Sequence, residues 1–173
     1  MFRVAICDDS KEFLAYEESL IEFYMHEHSI EYQCDKYLSG YDLIAEGSNV
    51  SKYNLFILDY DMEGLTGFDT ASRIYELFPE AKIAFATNYY DFTREGYKYN
   101  AVRYLVKQED SFKTDLFECI DAVMKKSMPK TILLDLYDRK EEVKLDDILY
   151  IQSNRHYSHY FIRESKSDNY IRP

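Results

Sequence analysis

Five short apolar runs, each followed by a segment with helical periodicity, limit what the first 126 residues can fold into. Phe2–Cys7 (FRVAIC) reads as the first strand. Ser10 then offers an N-cap with Glu12 in the first turn. Phe13, Tyr16, Leu20 and Phe23 follow at helical spacing as that helix's apolar stripe. Ile30–Tyr37 is a more polar strand, as suits a sheet edge, and a short helix is expected over Tyr41–Ala45. Leu55–Leu58 is apolar on both faces and therefore buried on both. Thr66 and Asp69 have capping-box spacing. The helix after them carries Phe68, Ala71, Tyr75 and Phe78 and stops at Pro79. Ile83–Ala86 is a fourth strand, about Asp91–Tyr99 a polar fourth helix, and Val102–Val106 a fifth strand. A fifth helix shows Phe112, Leu116, Cys119, Ile120 and Val123 on one face. This (βα)5 alternation predicts a parallel sheet covered by helices on both faces, in the doubly wound order 2-1-3-4-5.

After Met128-Pro129 the pattern changes. Lys130–Tyr137, Glu142–Leu145, Ile148–Gln152 and His156–Arg163 read as short strands without a helix. The expected division is 1–127 and 128–173, an α/β domain followed by a partial all-β segment that ends without a closing element. A segment of 46 residues is marginal for an independent core.

Charge divides in the same place. The 173 residues hold 21 Lys+Arg and 32 Asp+Glu, net −11. Residues 128–173 hold 8 of each, so residues 1–127 carry the whole excess. Such an acidic segment repels nucleic acid and suits basic protein surfaces. No apolar run approaches the roughly 18 residues of a membrane span, and the N-terminus does not read as a secretion signal, so a cytoplasmic protein is expected. Cys7, Cys34 and Cys119 form no CxxC pair, and buried free thiols are expected at Cys7 and Cys119.

In open parallel sheets, sites lie beyond the C-terminal ends of the strands. Strand 1 ends in Asp8-Asp9, strand 3 in Asp59, strand 4 in Thr87 and strand 5 in Lys107. One rim thus gathers three carboxylates, a hydroxyl and an ammonium. Carboxylates so placed repel unless a cation sits among them, and an oxygen-only donor set suits Mg²⁺.

These residues carry a resemblance. Asp8-Asp9, Leu58-Asp59 followed by Met62 and Gly67, the FATN around Thr87, and AVRYLVK ending at Lys107 are similar to the response-regulator receiver domain of two-component signalling. The resemblance implies that Asp59 accepts a phosphoryl group from a sensor histidine kinase. It also implies that Asp8, Asp9, Asp59 and the Asp61 backbone carbonyl hold Mg²⁺, with Asp8 acting through water. Lys107 would pair with Asp59 and later with the phosphoryl group. Thr87 and Tyr104 would form the switch, and the fourth helix, fifth strand and fifth helix would make the face of a phosphorylated homodimer. Asp61 and Tyr89 stand where the family tunes phosphoryl lifetime. Two positions depart from the family: Glu63 replaces a usual Pro, and Lys107-Gln108 replaces a usual Lys-Pro with a cis bond.

Asp147–Asn154 (DILYIQSN) resembles the opening of a LytTR-type DNA-binding domain, of which 128–173 would be about the first half. This implies promoter DNA as a partner, with Arg155, His156 and His159 as candidate contacts, although the net-zero charge gives little pull toward phosphates. Two other readings remain. One is a phosphorylation-independent protein-binding module. The other takes Asp59-x-Asp61 as the DxD of a haloacid-dehalogenase-type phosphatase, but there the motif follows the first strand rather than the third.

Overall fold

The computed structural model describes residues 1–88, 101–107, 110–127, 131–135, 139–154, 157–163 and 169–171. The chain divides into two compact units, Met1–Lys125 and Lys126–Pro173.

The first unit alternates β1 (Phe2–Cys7), α1 (Lys11–Glu27), β2 (Tyr32–Tyr37), α2 (Gly40–Ile44), β3 (Leu55–Asp59), α3 (Gly67–Leu77), β4 (Ile83–Thr87), β5 (Arg103–Val106) and α4 (Phe112–Ser127). Here α4 is the fifth helix of the sequence pattern; the expected fourth helix lies outside the described residues. The five parallel strands stand in the order β2-β1-β3-β4-β5, as expected.

Strand alternation sorts the core into two layers. Val4, Ile6, Leu55 and Ile57 point to one face and meet α1 and α4. Ala5, Cys7, Phe56 and Leu58 point to the other and meet α2 and α3. Every residue of β3 and β4 is buried, which explains their uninterrupted apolar runs. Ser10 caps α1 by accepting from the Phe13 N–H at 3.2 Å. Thr66 and Asp69 form the expected capping box on α3.

α1 differs from expectation. Its buried stripe is Leu14, Glu17, Ile21, Tyr24 and Met25. Tyr16 and Phe23 of the expected stripe are about half exposed, at 46% and 49%. The aromatic stripe instead covers the rim of α4, where Phe13 meets Phe112 edge-on at 5.3 Å and Phe23 stacks on Phe117 at 6.1 Å. A glutamate within the true stripe hides its period in the sequence.

The second unit is all β. Its strands β6 (Thr131–Asp135) and β7 (Lys140–Lys144) form one antiparallel pair. Strands β8 (Ile148–Asn154), β9 (Tyr157–Ile162) and β10 (Asn169–Ile171) form a sheet in the order β10-β9-β8. β10 corrects the expectation that nothing closes the segment, since it pairs with β9 from Asn169↔Tyr160 to Ile171↔Ser158. Three residues were too few to show a strand in the sequence. A single 3₁₀ turn at Leu145–Asp147 also interrupts the expected helix-free pattern. Leu134 and Val143 are buried, with Ile132, Ile148, Tyr160 and Ile162 packed against them.

Gly67 fixes how closely α3 approaches the end of β3. Its N–H donates to the Tyr60 carbonyl at 2.9 Å. A Cβ there would lie 2.3 Å from the Asp59 carbonyl oxygen and 3.0 Å from the Tyr60 Cα, both backbone atoms that cannot rotate away. Gly67→Ala is therefore expected to destabilise the first unit by about 1–3 kcal/mol, measured by chemical denaturation.

Candidate functional site

Strand register sets the rim. Cys7 pairs with Leu58, so the next residues, Asp8 and Asp59, stand level. Asp59 pairs with Ala86, placing Thr87 one step further along β4. Thr87 pairs with Val106, and the Lys107 N–H donates to the Thr87 carbonyl at 2.9 Å. The four strands therefore deliver Asp8, Asp59, Thr87 and Lys107 to one place because hydrophobic pairing fixes their ends.

The Lys107 ammonium lies between two carboxylates, 2.5 Å from Asp8 Oδ2 and 2.8 Å from Asp59 Oδ1. All three side chains are at most 8% exposed. The same ammonium lies 4.4 Å from the centroid of the Phe13 ring, which closes one side of the site. Burial opposes the charged lysine, but its hydrogen bonds to Asp59 and Asp8 outweigh that and hold its pKa above the ordinary value.

For Asp59 the balance runs the other way. Burial pushes its pKa up to about 6, against the lowering effect of the Lys107 hydrogen bond. The neighbouring Asp8 charge raises it further, while the Asp61 N–H lowers it by donating to the Asp59 carboxylate. Asp8 Oδ1 is held by the Ser10 N–H at 2.8 Å, so the α1 cap and the acidic rim share a loop.

Asp8, Asp9 and Asp59 bring carboxylate oxygens within 4.8 Å of one another. Asp9 is exposed, with its Oδ2 accepting from the Glu63 N–H at 3.3 Å. An all-oxygen donor set open on one side fits a hard divalent cation that keeps several waters. Asp8 makes the shorter of the two Lys107 contacts.

Of the remaining expected residues, Thr87 is buried at the end of β4. Tyr104 is half-buried with its ring stacked on Phe85 at 5.5 Å. The Asp61 side chain is exposed. Tyr89, Gln108, Arg155 and His156 lie outside the described residues, and with them the Lys107-Gln108 peptide. His159 sits on β9, in register with Gln152 and Tyr170. Cys7 and Cys119 are buried free thiols, each pushed by burial to about 12.

Sequence reasoning missed Glu17. It is 1% exposed, and its Oε1 has no hydrogen-bond partner among the described residues. Burial and then the Asp8 charge raise its pKa well above the carboxylate range, with Lys107 pulling the other way. The available signal was its place three residues after Leu14 and four before Ile21, both apolar.

A doubly wound 2-1-3-4-5 sheet with a carboxylate–lysine rim defines a CheY-like α/β protein. The chain belongs to the response regulator receiver domain family, whose model matches residues 4–121. It therefore carries the receiver domain of a response regulator, the phosphoacceptor module of two-component signalling. It is similar to response regulator TrrA from Thermotoga maritima, solved in complex with Mg(2+)-BeF, at 26% identity and TM-score 0.57, covering 71% of this chain and 99% of that one. A receiver domain from Clostridium thermocellum shares the fold at 20% identity and TM-score 0.62, covering 73% and 96%. A CheY-like receiver from Methanospirillum hungatei does so at 21% and 0.60, covering 73% and 99%. A search of curated proteins gives no match. Among the described residues, no helix is long and apolar enough to cross a membrane.

The raised acids fix a sign for pH. A carboxyl whose folded pKa lies above its unfolded value loses stability as pH rises from the unfolded toward the folded pKa. For Asp59 that window runs from about 4 to about 6. Without divalent cation, Asp59→Asn is expected to raise stability by about 1–3 kcal/mol at pH 7.5 and little at pH 4. Glu17→Leu is expected to shift stability in the same sense, with more gain at pH 8 than at pH 5. Denaturant titrations across this pH range check both.

Proposed function

We propose that Asp59 is the phosphoacceptor of a two-component phosphorelay. An Asp59 carboxylate oxygen attacks the phosphorus of a phosphohistidine on a sensor histidine kinase. The P–N bond breaks, its electron pair stays on the imidazole, and an acyl phosphate forms on Asp59. The observation that carries this reading is the buried Lys107 ammonium 2.8 Å from Asp59 Oδ1. Phosphoryl transfer depends mostly on positioning and charge neutralisation, and a cation held at the acceptor oxygen supplies both. Asp8, Asp9 and Asp59, with the Asp61 carbonyl, would hold Mg²⁺, whose chemistry here is neutralisation of charge on the transferring group.

Lys107 is bonded to Asp8 as well as Asp59, so it stays anchored while Asp59 changes its charge. The roughly −2 charge gained on phosphorylation favours a hydroxyl donor, the role proposed for Thr87 beside it. Movement of Thr87 then draws Tyr104, the second residue of β5, across the Phe85 ring. That shift would bias a homodimer through the fourth helix, fifth strand and fifth helix.

For residues 128–173 we propose the first part of a LytTR-type domain, and transcriptional control at promoter DNA for the full architecture. The support is the DILYIQSN match together with the small all-β unit that contains it. Arg155, His156 and His159 are the proposed contacts, and the cytoplasm the proposed compartment.

Intact-mass spectrometry after incubation with acetyl phosphate and Mg²⁺ tests the central claim. One phosphoryl adduct is expected, dependent on Mg²⁺ and absent from Asp59→Asn. A chain that gains no adduct with Mg²⁺ present is a phosphorylation-independent module. Steady turnover of the donor without stoichiometric labelling would indicate a phosphatase.

A further inference from the structure

The Lys107 ammonium has three partners among the described residues, and one of them is apolar. Asp8 Oδ2 and Asp59 Oδ1 accept two of its hydrogen bonds, at 2.5 Å and 2.8 Å. The ammonium also lies over the Phe13 ring, 4.4 Å from the centroid. That is inside the roughly 6 Å at which the negative face of an aromatic ring attracts a cation. The attraction is strongest where water is excluded, and the lysine side chain is only 8% exposed.

Phe13 is braced in this place. Its ring meets Phe112 edge-on at 5.3 Å and Tyr16 at 5.8 Å, and Tyr16 meets Phe112 at 6.0 Å, so the three rings hold one another. Phe112 is buried. The Phe13 backbone is fixed as well, because its N–H donates to the Ser10 hydroxyl at 3.2 Å in the cap of α1. The Ser10 N–H in turn donates to Asp8 Oδ1 at 2.8 Å. One cap therefore sets two of the three groups around the ammonium, the Asp8 carboxylate and the Phe13 ring.

A ring does here what an aliphatic side chain could not. Lys107 makes its shorter contact with Asp8 rather than with Asp59. An aliphatic residue at position 13 would exclude water but offer the cation no attraction of its own. A ring face attracts a cation without demanding one hydrogen-bond direction. The ammonium can then follow the acceptor oxygen as its charge changes, still covered from water.

We propose that Phe13 is a positioning residue for phosphoryl acceptance: its ring face holds the Lys107 ammonium at the acceptor oxygen and so sets how fast Asp59 takes the group. The inference rests on the reading of Asp59 as phosphoacceptor. Phe13 acts through Lys107 and not on the reacting atoms.

The rate of phosphorylation by acetyl phosphate with Mg²⁺, in which an Asp59 oxygen displaces acetate from phosphorus, tests it by intact mass on the full chain. Phe13→Leu is expected to slow the rate roughly 3- to 10-fold, the factor such an attraction confers on a shielded cation. Phenylalanines carrying one, two and three ring fluorines at position 13 keep the shape but drain the ring face of negative charge. The rate should fall with each fluorine, whereas a packing role alone leaves the series flat. A flat series overturns the proposal, as does a folded Phe13→Leu within about 2-fold of the wild type. Should Phe13→Leu lose helix by circular dichroism, the fluorinated chains decide. A wild type that gains no adduct overturns the Asp59 reading instead, and NMR without phosphodonor then decides for Phe13. Lys107 methylene protons beside the ammonium that are shifted upfield by the ring support its hold on the cation. Ordinary shifts in the wild type reject it.

Discussion

The ammonium of Lys107 sets the rim of this molecule. It is 2.5 Å from one buried aspartate and 2.8 Å from another, and neither carboxylate would otherwise be tolerable at the end of a fully buried strand. Everything that places it is packing. β5 lies beside β4 because its residues complete the two apolar layers, and the register of that pair brings Lys107 past Thr87 to the gap between β1 and β3. The lysine leaves one excess negative charge on the buried pair and does not reach Asp9. The site is therefore stable enough to fold, yet still attractive to a second cation. Complete neutralisation would leave no drive to bind a metal, and none at all would unfold the rim.

Much of this could be read in the sequence, because strand ends are local signals. An apolar run that stops at an aspartate marks both a strand and its rim, and five such runs fix which residues share an end. Asp8, Asp9, Asp59, Thr87 and Lys107 were legible for that reason. What was not legible depended on side-chain partners. Nothing in the sequence says that Lys107 takes Asp8 as firmly as Asp59, since that follows from the level set by Cys7↔Leu58. α1 shows a second limit. Its apolar stripe at 13, 16, 20 and 23 looks like a core face, but the rings of Phe13, Tyr16 and Phe23 pack sideways against α4. The core belongs to the adjacent stripe, whose signal Glu17 breaks. A glutamate mid-helix ordinarily marks solvent, and only the packed structure shows this one inside.

Glu17 also bears on how the acidic rim is supported. Beside Asp8 and Lys107 lies a buried carboxyl whose Oε1 has no hydrogen-bond partner among the described residues, and burial and then the Asp8 charge raise its pKa. Ionised, it would compete with Asp8 and Asp59 for the field of Lys107. The fold thus carries a fourth acid beside the three of the rim, and the buried apolar residues of its stripe, Leu14 and Ile21, shield it from water.

Glu63 stands where proline is usual in the family, and the geometry gives that departure a physical meaning. Its N–H reaches Asp9 Oδ2 at 3.3 Å, and proline has no N–H to donate. Asp9 is the exposed member of the cluster, so without such a donor its carboxylate would sample several rotamers. The backbone of the loop after β3 thereby orients the one acid that β1 leaves free. The bond is long, so its contribution is small, about 1 kcal/mol or less. A weak tether of this kind keeps the outer carboxylate beside those of Asp8 and Asp59 without locking it in one rotamer.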